Sequence, residues 1–130
     1  SLLSMLLCLP PSLGGFDLPR PELNYPIETN EGSVAIRRCD LCWPDQQFAL
    51  EYDSDTFHSD ARGLHLDSSR RSALEKAGVH VVSVTKNQVF DRGQLFNLAT
   101  IASKRLGKRL SPAPFDFAQK QDEIYPTVFE

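Results

Sequence analysis

Cysteine is scarce in this sequence, and long apolar runs are absent. Three cysteines among 130 residues are too few, and odd in number, for a disulfide framework, which predicts a reducing, cytoplasmic setting. The only apolar run at an end, residues 2–9, is far shorter than the ~20 residues of a membrane helix, and no basic segment precedes it. The sequence therefore argues against a disulfide-stabilised secreted domain, and we expect no contact with a membrane.

Neither sign of charge dominates the chain, whose formal net charge is −3. Its 41% hydrophobic and 24% charged residues argue against a disordered, collagenous or coiled-coil protein. We expect one domain over residues 1–110 and a C-terminal tail over residues 111–130. Because the chain begins at Ser1, we also expect a fragment or processed product that lacks an N-terminal domain or partner; nothing in the sequence indicates an oligomeric state.

Charge is distributed unevenly along the chain. Residues 1–67 carry four basic and eleven acidic side chains, whereas residues 68–110 carry nine basic and two acidic ones. A metal-dependent enzyme that acts on a polyanion needs carboxylates for the cation and Lys or Arg for the phosphates. Solvated basic helix faces explain the same distribution, and charge alone favours that explanation.

Apolar periodicity and turn residues predict a mixed α/β (α+β) fold, with an antiparallel hairpin flanked by helices. The predicted helices are residues 2–9, 67–78, 86–91 and 93–110, with Leu74 and Ala77 on one side of the second. The predicted strands are residues 25–29, 33–43, 47–53 and 79–85. We expect the proline-rich segment 10–26 to be a packed loop, residues 54–66 a mobile loop, and the tail an extended strap.

Cys39 and Cys42 form a C-x-x-C pair, which binds zinc when a second ligand pair exists. The sequence contains no second pair, and the strand period of two sends the two thiols to opposite faces. We therefore interpret them as two small buried side chains.

The predicted hairpin brings carboxylates together. With Asp45 and Gln46 in the turn, Cys42 faces Ala49 and Asp40 faces Glu51, while Asp53 shares the face of Glu51. Cross-strand neighbours lie about 5 Å apart, so their like charges destabilise the sheet unless something positive compensates. Magnesium, a hard cation often held by one or two carboxylates, would do so.

Two alternatives to a metal site stay open. One is that an arginine, Arg37, Arg38 or Arg70, neutralises the acids. The other is that the register differs by one residue, so that the acids face solvent.

The order of these motifs resembles a known family. Four segments together are similar to endonuclease-related domains close to the very-short-patch repair nucleases. In chain order they are Cys39-Asp40-Leu41-Cys42-Trp43-Pro44, Ala49-Leu50-Glu51-Tyr52-Asp53, Asp67-x-x-Arg70 and the strand Val81-Val82-x-Val84-Thr85. Those domains belong to the restriction-endonuclease-like superfamily, whose mark is an Asp followed by acid-x-Lys on the next strand. The resemblance extends from Tyr25 to about Leu106, and such domains often form the C-terminal part of abortive-infection antitoxin-like regulators.

The resemblance implies a magnesium-dependent endodeoxyribonuclease in which Asp40 and Glu51 hold the metal. Asp53, also a candidate catalytic residue, stands where other members of the superfamily carry lysine, and Ser83 stands where relatives often carry arginine. These departures support a second hypothesis, a catalytically inactive copy of the fold that serves as the regulatory or protein-binding domain of a toxin–antitoxin type regulator.

The remaining candidate residues are one histidine and four basic side chains. His58 follows the acids and could act as general acid or base, although a surface histidine explains it equally well. For Arg70 we favour an internal role, as the resemblance implies. The candidate DNA-binding residues are Arg70, Arg71, Lys104 and Arg105; cations at the end of a helix also suit its dipole.

Overall fold

The structure is a computed structural model that describes residues 1–31, 34–53 and 70–126, except for the side chains of residues 30, 31, 34 and 35. The strands are β1 (Glu22–Glu31), β2 (Val34–Trp43), β3 (Phe48–Asp53) and β4 (His80–Thr85). The helices are α1 (Leu2–Cys8), α2 (residues 70–76), α3 (Lys86–Phe90), α4 (Arg92–Leu106) and α5 (Phe117–Ile124). The predicted mixed α+β fold is confirmed.

The chain forms two compact units. One comprises Pro21–Phe90 and holds the sheet with α2 and α3; the other comprises Ser1–Arg20 and Asp91–Glu130 and holds α1, α4 and α5. None of the helices in the described residues has the length and apolar character that crossing a membrane requires.

The four described strands form one mixed sheet in the order β1-β2-β3-β4. β1, β2 and β3 are antiparallel neighbours, whereas β4 lies parallel to β3. The pairs Leu41↔Leu50, Cys42↔Ala49 and Trp43↔Phe48 give the predicted hairpin register, and a single 3-10 turn, Pro44–Gln46, joins the strands. The turn prediction holds because Gln47 takes the left-handed conformation, φ 52°, that closes it.

The segment predicted as a packed loop contains more regular structure than expected. A 3-10 turn forms at Pro11–Leu13, and β1 begins at Glu22 and runs through Pro26. Proline is tolerated there because β1 is an edge strand of the described sheet, where a missing N–H need not break a ladder. The predicted loop over residues 54–66 and the helix cap at 67–69 lie outside the described residues.

The core of the sheet unit contradicts two sequence predictions. Cys39 and Cys42 are both fully buried in one apolar cluster with Ala49 and Leu74, so the expectation that they face opposite sides is wrong. The strands are irregular at this point: the β2–β3 ladder ends at Leu41, and Asn24 of β1 takes a left-handed φ of 50° between the pairs Leu23↔Leu41 and Tyr25↔Cys39. On α2 the second buried residue is Ala73, whereas Ala77, placed on that side by the sequence, is exposed.

The helical unit follows its sequence pattern until the tail. Helix α4 ends at Leu106, before the predicted residue 110, because Gly107 takes a left-handed φ of 67°. Its buried apolar residues are Leu95, Leu98, Ala99, Ala102 and Leu106. The predicted extended strap contains α5 instead. Phe117 of α5 lies 5.4 Å from the ring of Phe16, and Ile124 is buried, so tertiary contacts stabilise a helix that the polar composition conceals.

Candidate functional site

Asp40 lies within β2, one residue beyond the last pair of the β2–β3 ladder, Leu41↔Leu50. Its Oδ2 accepts a hydrogen bond of 2.7 Å from the backbone N–H of Tyr52 on β3. The ladder between these strands stops at Leu41↔Leu50, so the carboxylate takes the place of a backbone acceptor just beyond it. Asp40 is exposed, and the bond fixes one carboxylate oxygen beside the backbone that carries Glu51.

Glu51 is paired with an arginine. The Oε1 of Glu51 lies 2.9 Å from the Nη2 of Arg70 on α2, and the same guanidinium donates to the backbone carbonyl of Arg38 on β2. Arg70 thus joins α2 to both strands of the hairpin, as in the alternative in which an arginine neutralises the acids.

A cleft of about 110 Å³ opens beside this ion pair. Its lining comes from three elements: Glu51, Tyr52 and Asp53 of β3, Arg70 and Arg71 of α2, and Val81 and Ser83 of β4. Four of the predicted site residues, Glu51, Asp53, Arg70 and Arg71, therefore share one cleft. Asp40 does not line it, but its bond to Tyr52 places it against the same strand.

Ser83 is the site residue that the sequence did not assign to the cleft. Its Oγ accepts a hydrogen bond of 2.6 Å from the Nη2 of Arg71, and in the parallel ladder it stands opposite Glu51. Two sequence signals point to this placement. One is its period-of-two position on β4, two residues from Val81, and the other is that it stands where the resemblance expects an arginine. The pairing of β4 with β3 could not be inferred from the sequence alone.

The other predicted residues lie elsewhere. His58 falls outside the described residues. Lys104 and Arg105 are exposed in the last turn of α4 and belong to the helical unit. Lys104 lines a shallow groove of about 500 Å³ with Phe96 and Lys108, and Lys108 is paired with Asp17 at 3.4 Å.

The donor set around the cleft suits a hard cation better than a soft one. No group of three or more His, Cys, Asp or Glu side chains with metal-binding geometry occurs in the described part of the chain. Asp40 and Glu51 offer two carboxylates, the number with which magnesium is often held while keeping several waters. The neighbouring thiol does not compete, because burial raises the pKa of Cys39 to about 12, with Glu51 adding to the effect.

Comparisons with known proteins give few relatives. No family model matches the chain, and no solved structure matches it significantly. It is 35% identical over 72 residues to uncharacterized protein MT2308 and to uncharacterized protein Rv2248, both of Mycobacterium tuberculosis. The match covers 55% of this chain and 26% of each relative, so the chain spans about a quarter of the length of the curated relatives it matches.

Proposed function

We propose that this chain is an endonuclease-like domain of the restriction-endonuclease-like superfamily that binds DNA and cleaves it with magnesium. The observation that carries the proposal is the hairpin register. It brings Asp40 against the strand of Glu51, next to a cleft that also holds Arg70 and Arg71. Carboxylates beside arginines suit a phosphodiester together with a divalent cation. The three free thiols support a reducing, cytoplasmic setting.

The acidic and basic residues in and beside the cleft would have different roles. Asp40, fixed by the Tyr52 N–H, and Glu51 would hold the magnesium ion. When bound, magnesium neutralises phosphate charge in the transition state and makes an attacking water more acidic. Arg70 offsets the charge of Glu51 and keeps α2 against the hairpin, which lets an anionic backbone approach two carboxylates without net repulsion.

Cleavage of DNA by the full chain tests the proposal. Supercoiled DNA is incubated with magnesium and with the wild type, Asp40→Ala or Asp45→Ala. Asp45 is a matched control, because it is an exposed acid in the turn Pro44–Gln46 and lies outside the cleft. We expect Asp40→Ala to lower the nicking rate about a hundredfold and Asp45→Ala to leave it unchanged. Equal activity of all three proteins, or no activity of the wild type, contradicts the proposal.

A catalytically inactive copy of the fold, acting as the regulatory or protein-binding part of an antitoxin-like regulator, is the second candidate. The observation that favours it is the 2.9 Å ion pair between Arg70 and Glu51, which already neutralises one of the two acids. Asp53 in the cleft adds negative charge where the resemblance expects lysine.

Calorimetric titration with magnesium separates the two candidates. An inactive domain gives no binding heat at millimolar magnesium, for either the wild type or Glu51→Ala. A specific binding heat that disappears in Glu51→Ala contradicts the inactive fold and supports the metal-dependent one. The variant is compared by circular dichroism with the wild type, so that unfolding is not mistaken for loss of the site.

A further inference from the structure

The two arginines of the cleft have different partners. Arg70 is bonded to a carboxylate, Glu51, and to a backbone carbonyl. Arg71, the next residue, donates to the neutral hydroxyl of Ser83 at 2.6 Å. A guanidinium has five N–H donors in a planar fork, and a hydrogen bond to a hydroxyl uses one of them without neutralising its charge. Arg71 therefore presents positive charge to the cleft.

The position of Ser83 determines where that charge points. Ser83 is paired with Glu51 in the parallel β3–β4 ladder, and both residues line the cleft. Adjacent strands lie about 4.8 Å apart, so the hydrogen bond to Ser83 places one end of the Arg71 guanidinium about one strand spacing from β3, which carries Glu51 and Asp53. The cleft thus has an acidic side on β3 and, across it, a cationic side formed by Arg71 on its serine support.

We infer that Arg71 binds a non-bridging oxygen of the DNA phosphodiester in this cleft and that Ser83 is the positioning residue that orients its guanidinium. The inference rests on the DNA binding of the proposed function and adds to it the residue that recognises phosphate. Arg71 suits this role better than Arg70, because a charge that is already paired contributes little further attraction to a phosphate. A phosphate between Arg71 and the acidic side would also share a cation held there.

Binding of a short fluorescent DNA duplex, followed by anisotropy without divalent metal, tests the inference. We compare wild type, Arg71→Ala, Arg71→Lys, Ser83→Ala and the double variant, with Lys76→Ala as the control. Lys76 is an exposed cation of the same helix, outside the cleft lining, so its removal reproduces the change in net charge. We expect Arg71→Ala to weaken binding about tenfold and to lower the salt slope by about one. The DNA affinity of Arg71→Lys should lie between those of the wild type and Arg71→Ala, since lysine keeps the charge and loses the planar guanidinium.

The role of Ser83 has its own measurement. Ser83→Ala should weaken binding about threefold in the wild type and have no further effect in the Arg71→Ala background, as expected for residues that act as a unit. An additive effect in the double variant contradicts the positioning role. Arg71→Ala that binds DNA as tightly as Lys76→Ala, or a wild type that does not bind DNA, overturns the inference.

The same variants keep the inference distinct from the proposed function. DNA binding that depends on Arg71 without any magnesium-dependent nicking supports the phosphate contact and contradicts the endonuclease proposal. Nicking that depends on Asp40 but not on Arg71 supports the proposal and overturns the inference.

Discussion

The guanidinium of Arg70 and the carboxylate of Glu51 lie 2.9 Å apart, and this ion pair joins helix α2 to strand β3. The pair is partly shielded, since 19% of the glutamate side chain and 40% of the arginine side chain are exposed. Because Arg70 also bonds the backbone of Arg38, one side chain connects three elements of the sheet unit. The site and the local fold therefore share a residue.

Removal of Arg70 should destabilise the domain. Arg70→Ala loses two charge-assisted contacts and leaves Glu51 without its arginine, at a cost of about 1–2 kcal/mol in the free energy of unfolding. Arg70→Lys keeps the charge, so its free energy of unfolding should fall by about half as much as that of Arg70→Ala. Urea denaturation measures both, with Arg71→Ala as the control, because that arginine is exposed and its partner is a hydroxyl. Equal losses for Arg70→Ala and Arg71→Ala would show that the ion pair does not hold α2.

Asp40 should separate stability from activity. The amide oxygen of Asp40→Asn can still accept the Tyr52 N–H, so the unfolding free energy should stay within about 0.5 kcal/mol of wild type. Asp40→Ala loses that bond and about 1 kcal/mol. Both variants remove the negative charge and should lose magnesium-dependent nicking. The assignment fails if Asp40→Asn nicks DNA at the wild-type rate.

Alkaline pH should weaken the sheet unit through its buried thiols. Burial raises the pKa of Cys39 from its ordinary value of 9.0 to about 12, so the folded protein retains a proton that the unfolded chain loses. Stability from this group is fully present below about pH 9 and is lost as pH rises toward about 12. Cys39→Ala should lose less stability over that window in urea titrations. An identical pH dependence of the unfolding free energy in Cys39→Ala and the wild type would contradict the prediction. Burial also raises the pKa of Cys42, so both proteins should keep some of this pH dependence.

Two glycines of the helical unit make a matched pair. Gly14 and Gly107 both have positive φ, 93° and 67°, but a Cβ on Gly14 would lie 2.4 Å from the backbone nitrogen of Gln121, whereas one on Gly107 meets nothing within 4 Å. Gly107→Ala should cost about 1 kcal/mol from backbone strain alone. Gly14→Ala should cost about 2–5 kcal/mol, because the clash adds to the strain. Similar thermal midpoints for the two variants would mean that the contact with Gln121 is loose.

The sequence predicts the parts of this fold that depend on local chemistry. Alternation and a Pro-Asp-Gln turn were enough to place the register that sets Cys42 against Ala49. The same logic failed for Cys39, which lies beyond the last β2–β3 pair although it stays paired with Tyr25 of β1. It also missed α5, where contacts such as Phe16 with Phe117 outweigh a polar composition.

The candidate site, like the fold, was predictable only where local strand pairing determines it. The hairpin register predicts that Asp40 lies beside the strand that carries Glu51, where its carboxylate accepts the Tyr52 N–H. Arg70 was one of three arginines that could have neutralised the acids, and it pairs with Glu51. The contact of Arg71 with Ser83 joins α2 to β4 and depends on how those elements dock against β3. Nothing in the spacing of these residues specifies such docking.

A crystal structure of the full chain soaked with manganese tests the central proposal most directly. Manganese favours the same oxygen ligands as magnesium and can be located by its anomalous scattering. We predict one anomalous peak bound to carboxylate oxygens of both Asp40 and Glu51. The absence of such a peak at millimolar manganese, with Arg70 still bonded to Glu51, would contradict the metal-dependent endonuclease and leave only the fold.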